Sequence, residues 1–337
     1  MKERTRRHGD RETRRKGYAV SCPRVPVSPR LRVFFFVLTL LVLVVNFSAD
    51  AQKRSRSGAH SSIPRDTFSA ADRNTIEKAV GTACAERIRD PVGSTPIDEM
   101  QARPSLSASS PDAIAGAKRA DRLLPITRKL VANAIVQLSK DYDLYDAPAS
   151  RARVNAASAR VQAVKRIRPN VDARDNASVL LRDPRAIEFG TIFLAGLKSD
   201  EAMVSVLGHE LTHVASGQSD LLRPLFRAIA RRAAGRTNLS ISGQRAEELA
   251  CDLVGLLATR QFINETPSWE PQPRRIARAV EHNCVDDDSS DEDHLSPRNT
   301  IRALFALDLD LAHELLTTAT RSSSRNRISL TGRAAAF

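Results

Sequence analysis

The sequence predicts an α+β fold, mostly helical. Three observations carry that expectation. Apolar residues recur at helical spacing over long stretches, as in Ile76, Val80, Cys84 and Ile88. Two short runs, Val179–Leu181 and Ile187–Leu194, read as strands between the breakers Asp183-Pro184 and Gly196. Aromatic residues make up only 4% of the 337-residue chain, so a helix-rich folded domain with loose flanks is expected.

The N-terminus explains much of the charge. Residues 1–51 hold eleven Lys and Arg against four Asp and Glu, more than half of the net +13. This localisation argues against nucleic acid as a partner. Val33–Phe47 is a fifteen-residue run, almost wholly apolar, preceded by Arg30 and Arg32. It is short for a membrane span of about 20 residues and suits the core of a secretory signal. Ala49-Asp50-Ala51 offers a cleavage site before Gln52. An uncleaved anchor remains the alternative, and either form places the rest outside the cytoplasm.

Residues 52–66 read as a disordered linker and 67–169 as a helical region. Phe68–Arg89 is expected as a helix, Pro91–Pro111 as loop, and Asp112–Leu144 as a long helix broken near Pro125. Ala149–Ile167 is another helix, whose arginines read as a solvated face. Residues 170–320 form the chemically rich domain, and 321–337 a disordered tail. Within that domain the sequence predicts helices over Asp220–Ala234, Gln244–Ile263, Arg274–His282 and Pro297–Thr318. The acidic run Asp286–Asp293 reads as a surface loop, since it lacks the ligand spacing of a calcium hand. Of the cysteines beyond the leader, Cys84 and Cys284 are expected to pair, because Cys251 falls inside a helix.

The chemistry centres on Ser199–Gly217. Ser199 suits an N-cap, Asp200 and Glu201 a first turn, and Gly217 a C-cap. Met203, Val206, Leu207, Leu211 and Val214 make an apolar face. Gly208 is poor helix former and reads as room for a strand or substrate. His209-Glu210-Leu211-Thr212-His213 is an H-E-x-x-H pattern. On a helix its two imidazoles share one face, the spacing two ligands of one Zn²⁺ need, and Glu210 can act as general base.

A third ligand is expected from the next helix. Glu248 and Asp252 lie one turn apart beside Leu249, Val254 and Leu257. A partly buried carboxylate needs a partner. Glu248 is therefore the third ligand, and Asp252 accepts the free N–H of a ligating histidine. Glu247 is the neighbouring alternative, pointing about 100° away. His294 is open between an oxyanion contact or fourth metal position and an exposed loop histidine. His282 and His313 read as structural or surface residues. The strands ahead of the helix can present an edge to an extended peptide.

VLGHELTHV at Val206–Val214, the E-x-x-x-D of Glu248–Asp252 and the downstream His294-x-x-Pro297 carry a resemblance. Together they resemble the zinc metallopeptidases that include the CAAX prenyl protease, the HtpX heat-shock protease, and periplasmic proteases and chaperones of outer-membrane assembly. The likeness spans about Asn170–Leu316. It implies a zincin-like domain of the gluzincin type: an active-site helix, a small sheet with an edge strand, and a second helix bearing the glutamate ligand. It implies one Zn²⁺ on His209, His213 and Glu248, with Glu210 as base and His294 near the metal. It implies a periplasmic or envelope endopeptidase with protein or peptide substrates, associated with the envelope membrane or assembly machinery. The family's H-P-x-x-x-x-R-I departs here, with Leu295 and Thr300 at the proline and arginine positions. A chaperone-like factor that keeps the zinc site is the alternative function.

Overall fold

The computed structural model describes residues 68–179, 183–285 and 290–317. The leader, the linker, the tail, Leu180–Leu181 and the first half of the acidic run lie outside the described residues. Among the described residues no helix is long and apolar enough to cross a membrane.

Helix α1 (Ala70–Arg89) starts at a capping box. Ser69 accepts the Asp72 N–H, and Asp72 accepts the Ser69 N–H. The stretch expected as loop contains a short helix, α2 (Ile97–Ala102), which buries Met100 completely. Helix α3 (Pro111–Asp141) runs through Pro125 without a break. Pro125 sits on the exposed face, where water can satisfy the carbonyl that loses its donor. Its buried face, including Leu123, Leu130, Val131 and Ile135, joins the core.

Helix α4 (Pro148–Ala163) ends earlier than the periodicity predicts. Arg166–Asn170 is strand β1, so Ile167 belongs to a sheet. The Lys165 N–H donates to the Arg185 carbonyl at 2.8 Å, and ladder pairing replaces the next helical turn. Pro169, which lacks an N–H, is tolerated because β1 is an edge strand. The sheet order is β1-β3-β2, with β2 at Ala177–Val179 and β3 at Ala186–Gly190. β1 pairs parallel with β3, Ile167 opposite Ile187. β2 pairs antiparallel with β3, Val179 opposite Ile187.

The second expected strand is half strand and half helix, since α5 (Thr191–Gly196) follows β3 directly. The Ile192 and Phe193 N–H groups both donate to the Arg174 carbonyl, which turns the chain. Helix α6 (Asp200–Ser216) comes next, then α7 (Arg223–Thr237) and α8 (Gln244–Glu265). Helix α9 (Gln272–Arg278) is followed by a 3₁₀ turn at Glu281–Asn283. The final expected helix splits into α10 (Pro297–Leu307) and helical residues 309–317. Asp308 causes the split, because its Oδ1 accepts the Leu311 N–H and caps a new helix.

Helix α6 is the centre of the packing. It is buried on nearly every face, between α8, α3 and α4. Residues 67–169 and 170–320 thus contribute to one core, and β1 crosses the line between them. Cys84 on α1 pairs with Cys284, and Cys251 is free and buried on α8.

Candidate metal centre

The site exists because two helices approach closely at one point. A Cβ on Gly208 of α6 would lie 2.7 Å from the Gly255 Cα of α8. Real Cβ atoms do not come that close, so only glycine permits the approach. Gly208 therefore makes room for α8, not for a strand or substrate. Ser199 caps α6 by accepting the Ala202 N–H, and Gly217 ends it at φ 53°. The contact sets His209 and His213 against the first turns of α8.

Three ligand atoms then converge. His209 Nε2 lies 3.1 Å from His213 Nε2. Glu248 Oε2 lies 3.2 Å from the first and 3.3 Å from the second. Each imidazole is oriented from behind by a carboxylate. His209 Nδ1 is 2.7 Å from Asp252 Oδ1, and His213 Nδ1 is 3.0 Å from Glu247 Oε1. A carboxylate only accepts, so both Nδ1 atoms carry the hydrogen. In that tautomer both Nε2 lone pairs face Glu248 with no hydrogen between them. Three acceptors around one point need a cation, and the cluster can hold a divalent metal. Bonds of about 2.0–2.1 Å at tetrahedral angles put ligand atoms about 3.3 Å apart, close to the observed edges.

The electrostatics agree with that reading. Burial opposes charge on His209, yet Asp252 and Glu248 raise its pKa well above the ordinary value. His213 is raised as well, burial being outweighed by Cys251, Glu247 and Glu248 around it. Burial would raise the Glu248 carboxyl, but the two histidines pull it far below the usual carboxylate range. The pocket favours positive charge at its centre, whether protons or a metal supply it.

Glu210 is buried and lines the same cleft, and its carboxylate takes no hydrogen bond from the described residues. Burial raises its pKa, against the lowering influence of His209 and His213. His294 stands at the rim with its side chain 58% exposed, Nε2 3.7 Å from Glu248 Oε2. That distance is too long for a direct hydrogen bond. The Asp291 carboxylate accepts the His294 N–H and lies 3.3 Å from its Nδ1. Arg245 of α8 donates its Nε–H to the Asp291 carbonyl at 2.9 Å, tying this loop to the ligand helix. His313 is exposed on the last helical segment. His282 is buried at Nδ1, and burial first, then His209, push it down to about 4 despite the nearby Asp252.

Three positioning groups escape a pattern search. Glu247 supports His213; the signal is that each ligating histidine needs its own Nδ1 acceptor. Gln244 donates to Glu248 Oε1 at 2.7 Å and fixes the ligand's outer oxygen. Asp291 belongs to a run that reads only as a solvated loop. The cleft over the cluster has a volume of about 750 Å³, and β2 forms one wall of it. Comparison of this chain with protein families, with curated proteins and with solved structures returns no match.

Proposed function

We propose that the chain is a zinc-dependent endopeptidase of the cell envelope. One observation carries the reading: three ligand atoms converge beside a buried glutamate, in a cleft walled by a strand edge. Two imidazoles and one carboxylate at these spacings suit Zn²⁺ with an open fourth position. Bound there, Zn²⁺ supplies a Lewis acid for a peptide carbonyl and acidifies water.

The chain's own groups divide the remaining work. His209, His213 and Glu248 hold the ion. Asp252 and Glu247 keep the imidazoles in the ligating tautomer. Glu210 takes a proton from the attacking water and delivers it to the leaving amine. β2 pairs on one side with β3, and its other edge offers backbone groups to an extended substrate. His294 serves the developing oxyanion or a fourth ligand position from the rim.

The Cys84–Cys284 bridge supports an oxidising compartment, in line with the expected leader. In this reading the protein works in the periplasm or envelope, at the membrane or with its assembly machinery. The same residues carry the resemblance to the HtpX and CAAX prenyl protease family, so a zincin-like ancestry is part of the proposal. A second reading is a client-binding factor that retains the metal. The exposure of His294 and its distance from Glu248 favour it. Incubating the zinc-loaded chain with an unfolded protein separates the two. Cleavage that stops with chelator and returns with zinc supports the peptidase; binding with intact substrate supports the factor.

A further inference from the structure

The cleft is electrostatically lopsided. Among the described residues, the carboxylates that line it are Glu210, Glu247 and Glu248, all on the metal side. The basic lining residues are Arg160 and Arg185, and Arg160 sits beyond the C-terminus of α6. Arg160 comes from α4. Its Nη1 donates to the Ser216 carbonyl at 2.7 Å, and its guanidinium lies over Gly217, where any side chain would strike it. Arg160 is therefore held one turn past His213.

Arg185 comes from the residue just before β3. Its backbone is fixed by Lys165 at 2.8 Å and by the Asp183 carboxylate at 3.3 Å, while its side chain is exposed. Among the described residues no carboxylate pairs with that side chain. Asp183, the nearest in sequence, is taken by Arg166 at 2.6 Å and Arg168 at 2.8 Å. The antiparallel register puts Val179 opposite Ile187, so the Val179 end of β2 is the end beside Arg185. Arg160 and Arg185 line the same cleft as the metal cluster, together with Ala163, Val179 and Pro184, so a peptide laid along the outer edge of β2 shares the cleft with both.

From this placement we infer that Arg160 and Arg185 form a carboxylate-recognising subsite. The cleft then selects peptides that carry a carboxylate on the arginine side of the bond to be cut. The carboxylate is an acidic side chain or the peptide's own C-terminus. The inference rests on the peptidase reading for its ligand. Guanidinium forks match a planar carboxylate, and a cleft with low-dielectric walls focuses the field of two such groups. A neutral peptide gains nothing from the two guanidinium charges.

The test uses the full chain with Glu210→Gln, loaded with zinc, and fluorescent peptides in matched pairs. One pair differs by Glu against Gln at each position in turn. The other differs by a free C-terminus against a C-terminal amide. The expected result is tighter binding of the carboxylate member by about fivefold or more, fading with added salt. Arg185→Lys keeps the sign of the preference and Arg185→Glu inverts it. Which pair responds identifies the source of the carboxylate. Equal binding of both members in both pairs overturns the subsite, as does a preference that survives Arg185→Glu unchanged. Hydrolysis by the wild-type chain is scored separately. Cleavage without discrimination sinks the subsite alone, and discrimination without cleavage sinks the peptidase reading alone.

Discussion

The two ends of helix α6 bury charge in opposite ways. At its first turn Glu201 faces Arg275, Nε to Oε1 at 2.5 Å. Arg278 beside it grips Asp90 at 2.6 and 3.1 Å and also holds Glu270. The Arg275 and Arg278 guanidinium groups meet an acceptor at every nitrogen. Two turns later His209, His213 and Glu248 bring together three atoms that, with neutral imidazoles, are all acceptors. A matched cluster holds α9 and the loop after α1 to the core. An unmatched one is stable only with a guest of opposite charge. The mismatch, more than burial or pKa, is the ground for placing the proposed chemistry at the second end.

The largest expected effect breaks the working end alone. Glu210→Gln lowers hydrolysis of an unfolded protein by on the order of a thousandfold or more, since the proton acceptor is gone. Zinc content and thermal stability stay near wild type. Peptide release together with metal analysis reads both. Undiminished cleavage by this variant removes the proposed mechanism.

Arg278→Met breaks the matched end. It leaves Asp90, with 1% of its side chain exposed, buried without its partner. Loss of about 3–5 kcal/mol in denaturant unfolding is expected, while the folded fraction still takes up zinc. Asp90 also carries a pH signature. Burial pushes its carboxyl up, but the Arg278 hydrogen bond wins and holds it below the ordinary value. Its stabilisation is therefore present above the ordinary carboxylate pKa and is lost as pH falls through the lowered one. In Arg278→Met that acid-side loss should disappear. A variant as stable as wild type would show the cluster to be ornamental.

Glu247→Gln and Gly208→Ala probe how the two ends are joined. Glu247→Gln removes the anionic acceptor behind His213 and should weaken zinc about 10- to 100-fold in a chelator competition, with little change in melting. Gly208→Ala forces a methyl toward Gly255 and should cost about 1–3 kcal/mol by overpacking. It should also weaken zinc, because α8 carries Glu248. Normal zinc affinity in a destabilised Gly208→Ala chain would separate the helix contact from the ligand geometry.

Much of this was legible in the sequence, for local reasons. Caps, an apolar stripe and fixed i, i+4 spacing are properties of one helix, so α6 and its two histidines read directly. The Cys84–Cys284 pair was expected because Cys251 lay inside a helix, although Cys84 itself sits on α1. Non-local choices were not legible. Ile167 looked helical because its neighbours were; only pairing with β3 makes Arg166–Asn170 a strand. Pro125 suggested a break, and the exposed side of α3 removed the reason for one. Glu247 seemed to point away because a helical wheel shows angle but not which neighbour stands there. Gly208 was singled out correctly as a place of close approach, but its partner, Gly255, lies 47 positions downstream.

The central claim is the three-ligand cation site, and metal content tests it most directly. The full chain and its Glu248→Ala variant would be stripped, reloaded with excess zinc, desalted and analysed. One zinc per folded wild-type chain, and a near-empty folded variant, is the predicted result. A wild-type chain that retains no zinc, or a Glu248→Ala chain that holds it as firmly, would contradict the account.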